Sequence, residues 1–110
     1  MDITIESLDQ LKSELREKIG GLVYFSTPQC NVCKVLRPKI MDEFEKNFPD
    51  VGRYYVDSTI TPEVSAAYNV FAVPTILVFL DGKEFARESR NVSVGGLINK
   101  ISRPYDIMTS

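Results

Sequence analysis

The chain has no histidine, no tryptophan and only two cysteines in 110 residues. A structural zinc site needs four ligands, so without imidazole the remainder would have to come from carboxylates or a second copy of the chain. No metal is assigned on this basis. Basic residues are neither in surplus nor massed: 13 Lys and Arg stand against 15 Asp and Glu, for a net charge of -2, so the electrostatic footprint of a nucleic-acid binder is missing. No apolar run approaches the roughly 18 residues that span a bilayer. The opening "MDITIESLDQLK" also lacks a basic segment followed by an apolar one. Neither nucleic acid nor membrane is expected as a partner, and a cytoplasmic location is. In that reducing compartment a lone cysteine pair is more often catalytic or metal-binding than structural. Repeats, low-complexity tracts and Pro/Gly/Ser-rich linkers are absent as well, which leaves nothing to mark a second domain.

What is present is an ordinary globular composition, 44% apolar and 25% charged, in a chain long enough to bury one core without staples. Ile3 and Ile5 alternate with polar neighbours, which predicts a short strand. Ser7 with Gln10 has the form of a capping box, and Leu8, Leu11, Leu15 and Ile19 follow at helical spacing until Gly20-Gly21. "LVYF" at 22–25 suits a buried strand. Thr27-Pro28 then fits an N-cap followed by proline at the first helical position, so a helix is expected to start there with both cysteines in its first turn. Val32, Leu36, Ile40, Phe44 and Phe48 carry its apolar face past Pro38, where a kink rather than an end is expected.

"VGRYYVD" at 51–57 reads as a strand, and Thr61-Pro62 opens a short helix to Tyr68. "TILVFL" at 75–80 is a buried strand, and Asp81-Gly82 signals a hairpin into "KEFARES", where Phe85 stands alone among polar residues as on an edge strand. Val94, Leu97, Ile98 and Ile101 mark a last amphipathic helix. The order predicts an α/β fold, a central mixed sheet of about five strands flanked by four helices on both faces. Pro104 is expected to end the last helix, giving one domain over residues 1–103 and a loosely docked C-terminal tail over 104–110.

The cysteines stand where a buried strand gives way to a helix. Unpaired N–H groups and the helix dipole favour negative charge there, and Lys34 and Arg37 add positive charge nearby. A thiolate is favoured over a thiol, so Cys30 is the expected attacking sulfur and Cys33 lies within reach to resolve a mixed disulfide. As a structural disulfide the pair would close a very short loop and restrict the unfolded chain little.

The strand "LVYF", the "CNVC" motif with Pro38 five residues beyond it, Val73-Pro74 ahead of an apolar strand, and the "DGK" hairpin together resemble thioredoxin, from about Ile3 to Ile101. C-x-x-C alone is a moderate signal, and its combination with the downstream Val-Pro and the strand order is specific. The resemblance implies a thioredoxin-like fold and a thiol-disulfide oxidoreductase that reduces protein disulfides, with Cys30 as nucleophile and Cys33 as resolving residue. It also implies a cis Pro74 facing the pair, a Val73 backbone that docks an extended client segment beside Val32, and no organic cofactor. The partners implied are a disulfide-containing protein substrate and a separate electron-donating reductase. A binding module or redox sensor with little turnover is the alternative.

The chain departs from that family at informative places. Gln29 precedes the first cysteine where thioredoxins usually have tryptophan, and Asn31-Val32 replaces Gly-Pro between the two. Tyr24 stands where a buried aspartate commonly helps deprotonate the resolving cysteine, and a phenol with a reference pKa near 10 is not that base at neutral pH. Arg53, where a lysine often partners that aspartate, reads as a plain surface charge. Arg90-Asn91 occupies a stretch where the family often has glycine, which puts a cation at the edge of the expected client groove.

Overall fold

In the computed structural model, which describes residues 2–109, the sequence alternation becomes five strands and four helices. In chain order these are β1 (Ile3–Thr4), α1 (Leu8–Glu17), β2 (Gly20–Ser26), α2 (Cys33–Asn47), β3 (Val51–Asp57), α3 (Pro62–Ala67), β4 (Thr75–Leu80), β5 (Lys83–Ser89) and α4 (Val94–Thr109). The sheet order is β1-β3-β2-β4-β5. β2 and β3 run parallel, as do β1 and β3, while β4 is antiparallel to both β2 and β5. β2 and β4 are buried along their whole lengths, which is why their sequences are continuous apolar runs rather than alternating ones.

Side chains of a strand alternate between faces, and β2 shows the consequence. Leu22 and Tyr24 join Ile76, Val78, Phe44 and Ile101 in a core under α2 and α4. Val23 and Phe25 join Leu77, Phe79, Leu11 and Val64 in a second core under α1 and α3. The end of β2 is therefore held between two packed layers, and the cysteine segment that follows it starts from a rigid support.

The hairpin forms as the sequence predicts. Asp81 and Gly82 have φ of 54° and 76°, the pair of positive values that a two-residue type I′ turn requires. A bulge follows on β5, where the pairing steps from Phe79 with Glu84 to Val78 with Ala86. It leaves Phe85 exposed on the edge, so one inserted residue decides which side of β5 meets the core.

Several boundaries differ from expectation. α1 ends at Glu17, and the two glycines belong to β2; a side chain at Gly20 would run into the Phe79 carbonyl of the neighbouring strand. α2 continues through Pro38 to Asn47. α4 likewise continues through Pro104 to Thr109, so the expected helix end before Pro104 is corrected. The reason is packing: Tyr105 is buried, with its ring 4.9 Å from that of Phe48 and its hydroxyl donating to Asp50 Oδ2 at 3.2 Å. Arg53 is likewise no plain surface charge, since its Nη2 reaches Glu45 Oε2 of α2 at 3.1 Å and its side chain is only 14% exposed.

Candidate active site

β2 hands the chain on at the buried Ser26. Thr27 to Cys30 then forms a turn, closed by the Cys30 N–H donating to the Thr27 carbonyl at 3.1 Å. Pro28 takes the second position of that turn, where its fixed φ is an advantage. The Lys34 N–H next donates to the Asn31 carbonyl at 3.2 Å, and those of Val35 and Leu36 to the Val32 carbonyl at 3.2 and 3.0 Å. α2 accordingly begins at Cys33 rather than at Pro28. Thr27 serves a turn instead of a cap, so Cys30 lies just ahead of the helix and Cys33 is its first residue. The two are joined as a disulfide with a Cα–Cα distance of 5.4 Å. No acidic residue occupies the first turn of α2, which leaves the positive end of the helix dipole available to a thiolate.

The two sulfurs face different surroundings. Cys30 is half-buried and lines an open groove of about 350 Å³ together with Val32, Val73, Pro74 and Arg90. Cys33 is 7% exposed and backs onto a separate depression of about 400 Å³ with Asp2, Lys34, Arg37 and Asp42. The Val73–Pro74 peptide bond is cis. The loop carrying it is fastened by the Thr75 hydroxyl, which donates to the Ala72 carbonyl at 2.6 Å. Thus Cys30, Val32, Val73 and Pro74, four positions marked in the sequence, share one surface, and Cys33 lies beneath it.

Behind the disulfide, Arg37 donates from Nε and Nη2 to Asp2 Oδ2 at 2.9 and 2.7 Å. Its guanidinium also lies 3.6 Å from the centre of the Tyr55 ring, so both charge and planar face are used. Tyr24 is fully buried in the same core as Cys33. Its hydroxyl has no hydrogen-bond partner among the described residues. Burial pushes the phenol up to about 12, with Arg37 opposing, so Tyr24 keeps its proton throughout the neutral range and is not a base for Cys33.

An unpartnered buried hydroxyl costs about 1–3 kcal/mol. Tyr24→Phe is therefore expected to stabilise the oxidised protein by about 1 kcal/mol, read as a higher urea midpoint at unchanged slope. A second signature lies in alkali. The folded pKa is raised above the unfolded value of 10, so the unfolded chain releases this proton first. Stability drains away as pH rises from about 10 to about 12, and the phenylalanine variant should lack that share of the decline. A midpoint at or below that of the parent would mean that the hydroxyl is satisfied.

Sequence reasoning missed two residues that shape this region. Phe71, 86% exposed, lies two positions before Val73 inside the apolar run 70–73, where nothing in the local pattern marks an exposed ring. The Asp2–Arg37 pair joins residues 35 positions apart, a distance over which no local pattern operates. Among the described residues no group of three metal-ligating side chains occurs, and no helix is long and apolar enough to cross a membrane.

Comparison with known proteins places this geometry in context. The thioredoxin family model matches residues 3–103. Thioredoxin-like protein YdfQ of Bacillus subtilis (strain 168) is 31% identical over 101 residues, covering 92% of this chain and 89% of that protein. The structure of Fasciola hepatica thioredoxin is 29% identical with a TM-score of 0.78, covering 92% of this chain and 97% of the other. Oxidised thioredoxin O2 from Arabidopsis thaliana is 26% identical with a TM-score of 0.78, covering 94% and 93% respectively.

Proposed function

The chain belongs to the thioredoxin family and is a thiol-disulfide oxidoreductase, and we propose that it works as a protein disulfide reductase with Cys30 as the attacking sulfur and Cys33 as the resolving one. The observation that carries this reading is the asymmetry of the pair, with Cys30 on the open groove and Cys33 buried at the first residue of α2. A client disulfide reaches one sulfur and not the other.

In the reduced protein the Cys30 thiolate attacks one sulfur of a client disulfide. A Cys30–client bond forms, the client's own S–S bond breaks, and the departing client thiolate takes a proton from water. Cys33 then gives up its proton to solvent and attacks Cys30 Sγ. The mixed disulfide breaks, and the second client sulfur leaves as a thiolate and is protonated in turn. Two electrons have passed to the client, and the protein is left as the Cys30–Cys33 disulfide seen in the structure. A separate reductase or dithiol supplies two electrons and two protons to reset it. Val73 offers its backbone to an extended client segment in the manner of an added strand, with Val32 and Pro74 flanking the sulfur. Both cysteines of the chain lie in this site, which supports work in a reducing, cytoplasmic setting.

Titration of Cys30 tests the electrostatic half of this reading. The pH dependence of alkylation in the reduced protein, with Cys33→Ser as control, is expected to report a pKa well below the free-cysteine value of about 8.5. A value at or above that reference, together with no acceleration of protein disulfide reduction over an equal amount of free dithiol, would leave a binding module in place of a reductase.

A further inference from the structure

We propose that the groove at Cys30 selects clients carrying a carboxylate next to their reactive disulfide, and that Arg90 makes the selection. The proposal rests on the reductase reading and adds a specificity-determining residue to it. Arg90 is the one charged residue that lines the groove. It is exposed, and among the described residues it has no ion-pair or hydrogen-bond partner. Arg37, Arg53 and Arg87, by contrast, are each committed to a carboxylate, on Asp2, Glu45 and Glu84.

Backbone structure fixes where this free cation stands. The antiparallel ladder pairs Thr75 with Ser89, so the next step along each strand sets Arg90 beside Pro74. A tight turn, closed by the Val92 N–H donating to the Ser89 carbonyl at 3.0 Å, keeps it at the rim. An extended client advances about 3.3 Å per residue, so the reach of an arginine side chain covers the first one or two residues beside the client's cysteine.

The chain as a whole carries a net charge of -2, and a Cys30 thiolate adds to the repulsion of an acidic segment. Within the groove that lines Cys30, Arg90 supplies the one side-chain charge that opposes it. The neighbouring carboxylate Glu88 lines the adjoining depression with Phe71 and Arg87, so the attractive position is next to the cysteine rather than farther along.

The test uses three peptides with one intramolecular disulfide, identical except for Glu, Gln or Lys beside the first cysteine. Single-turnover rates with the reduced protein are divided by each peptide's rate with free dithiothreitol, which removes the effect of the substituent on the leaving thiol. At low salt the Glu peptide is expected to outrun the Lys peptide by about twofold to fivefold, the span of an exposed ion pair, and the ratio should shrink at 0.5 M salt, where the Debye length is only about 4–5 Å. Arg90→Gln should bring the ratio near unity and Arg90→Glu should invert it. Arg16→Gln removes the same charge from the exposed side of α1 and should leave the parent ordering in place. Equal normalised rates in the parent, or an ordering that survives Arg90→Glu, would overturn the proposal while leaving the reductase reading intact. Failure to reduce any of the three peptides would overturn both.

Discussion

Changing Cys30 to serine is expected to lower protein disulfide reduction by about a thousandfold or more, whereas changing Cys33 to serine should halt the cycle one step later. The first result follows from chemistry alone. A serine hydroxyl stays protonated near neutrality and cannot form the sulfur–sulfur bond on which electron transfer depends. The second follows from geometry. Without Cys33 nothing within the protein attacks the mixed disulfide, so the client remains covalently attached to Cys30. The chain has no third cysteine, and the trapped species must therefore be a single adduct at one position. Mass spectrometry under non-reducing conditions, before and after added dithiothreitol, reads it directly. The asymmetry in burial makes the prediction directional, since Cys33 is 7% exposed and Cys30 lines the groove. If Cys30→Ser traps the client and Cys33→Ser does not, the roles are reversed and the groove is not where clients enter.

Features of the site that depend on short-range pattern were legible in the sequence, and those that depend on register or on distant pairs were not. The C-x-x-C pair, the Val73-Pro74 step and the Asp81-Gly82 hairpin each sit within a few residues of the signal that announces them. The expected start of α2 at Pro28 fails for a physical reason: Thr-Pro suits both an N-cap and a turn, and the Thr27 carbonyl accepting from Cys30 decides for the turn. The resemblance puts Arg90 at the edge of the groove, but its register beside Pro74 is not legible in any local pattern. It depends on the bulge at Val78/Phe79, without which Thr75 would face Glu88 instead of Ser89, and an isolated Phe85 among polar residues gives no count of inserted positions. Tyr24 shows the limit from the other side. Its identity ruled out a neutral-pH base from sequence alone, and the structure adds that its hydroxyl is buried and unpartnered among the described residues.

Pro104 reads as a stop in the sequence, and the reason it is not one yields the second large effect. A proline inside a helix leaves the carbonyl four residues earlier without its usual donor, here that of Lys100, so the hydrogen-bond ladder does not hold the last turns of α4 by itself. Tyr105 supplies the missing hold. Its ring meets Phe48 edge-on at 4.9 Å, Phe48 in turn meets Phe44 at 5.1 Å, and the hydroxyl reaches Asp50. The chain beyond Pro104 is thus anchored to the connection between α2 and β3. Tyr105→Ala removes a buried aromatic ring and is expected to cost about 3 kcal/mol or more, a fall in Tm of roughly 12–24 °C for a domain of this size. Tyr105→Phe keeps the ring and loses only the bond to Asp50, so a loss of about 1 kcal/mol is expected. Amide exchange adds the spatial signature: in the alanine variant, protection in α4 should fall first beyond residue 103, where the ladder is interrupted. A change below about 0.5 kcal/mol, the usual range for surface substitutions, would mean that the segment after Pro104 contributes nothing to the fold and behaves as the appendage its proline suggests.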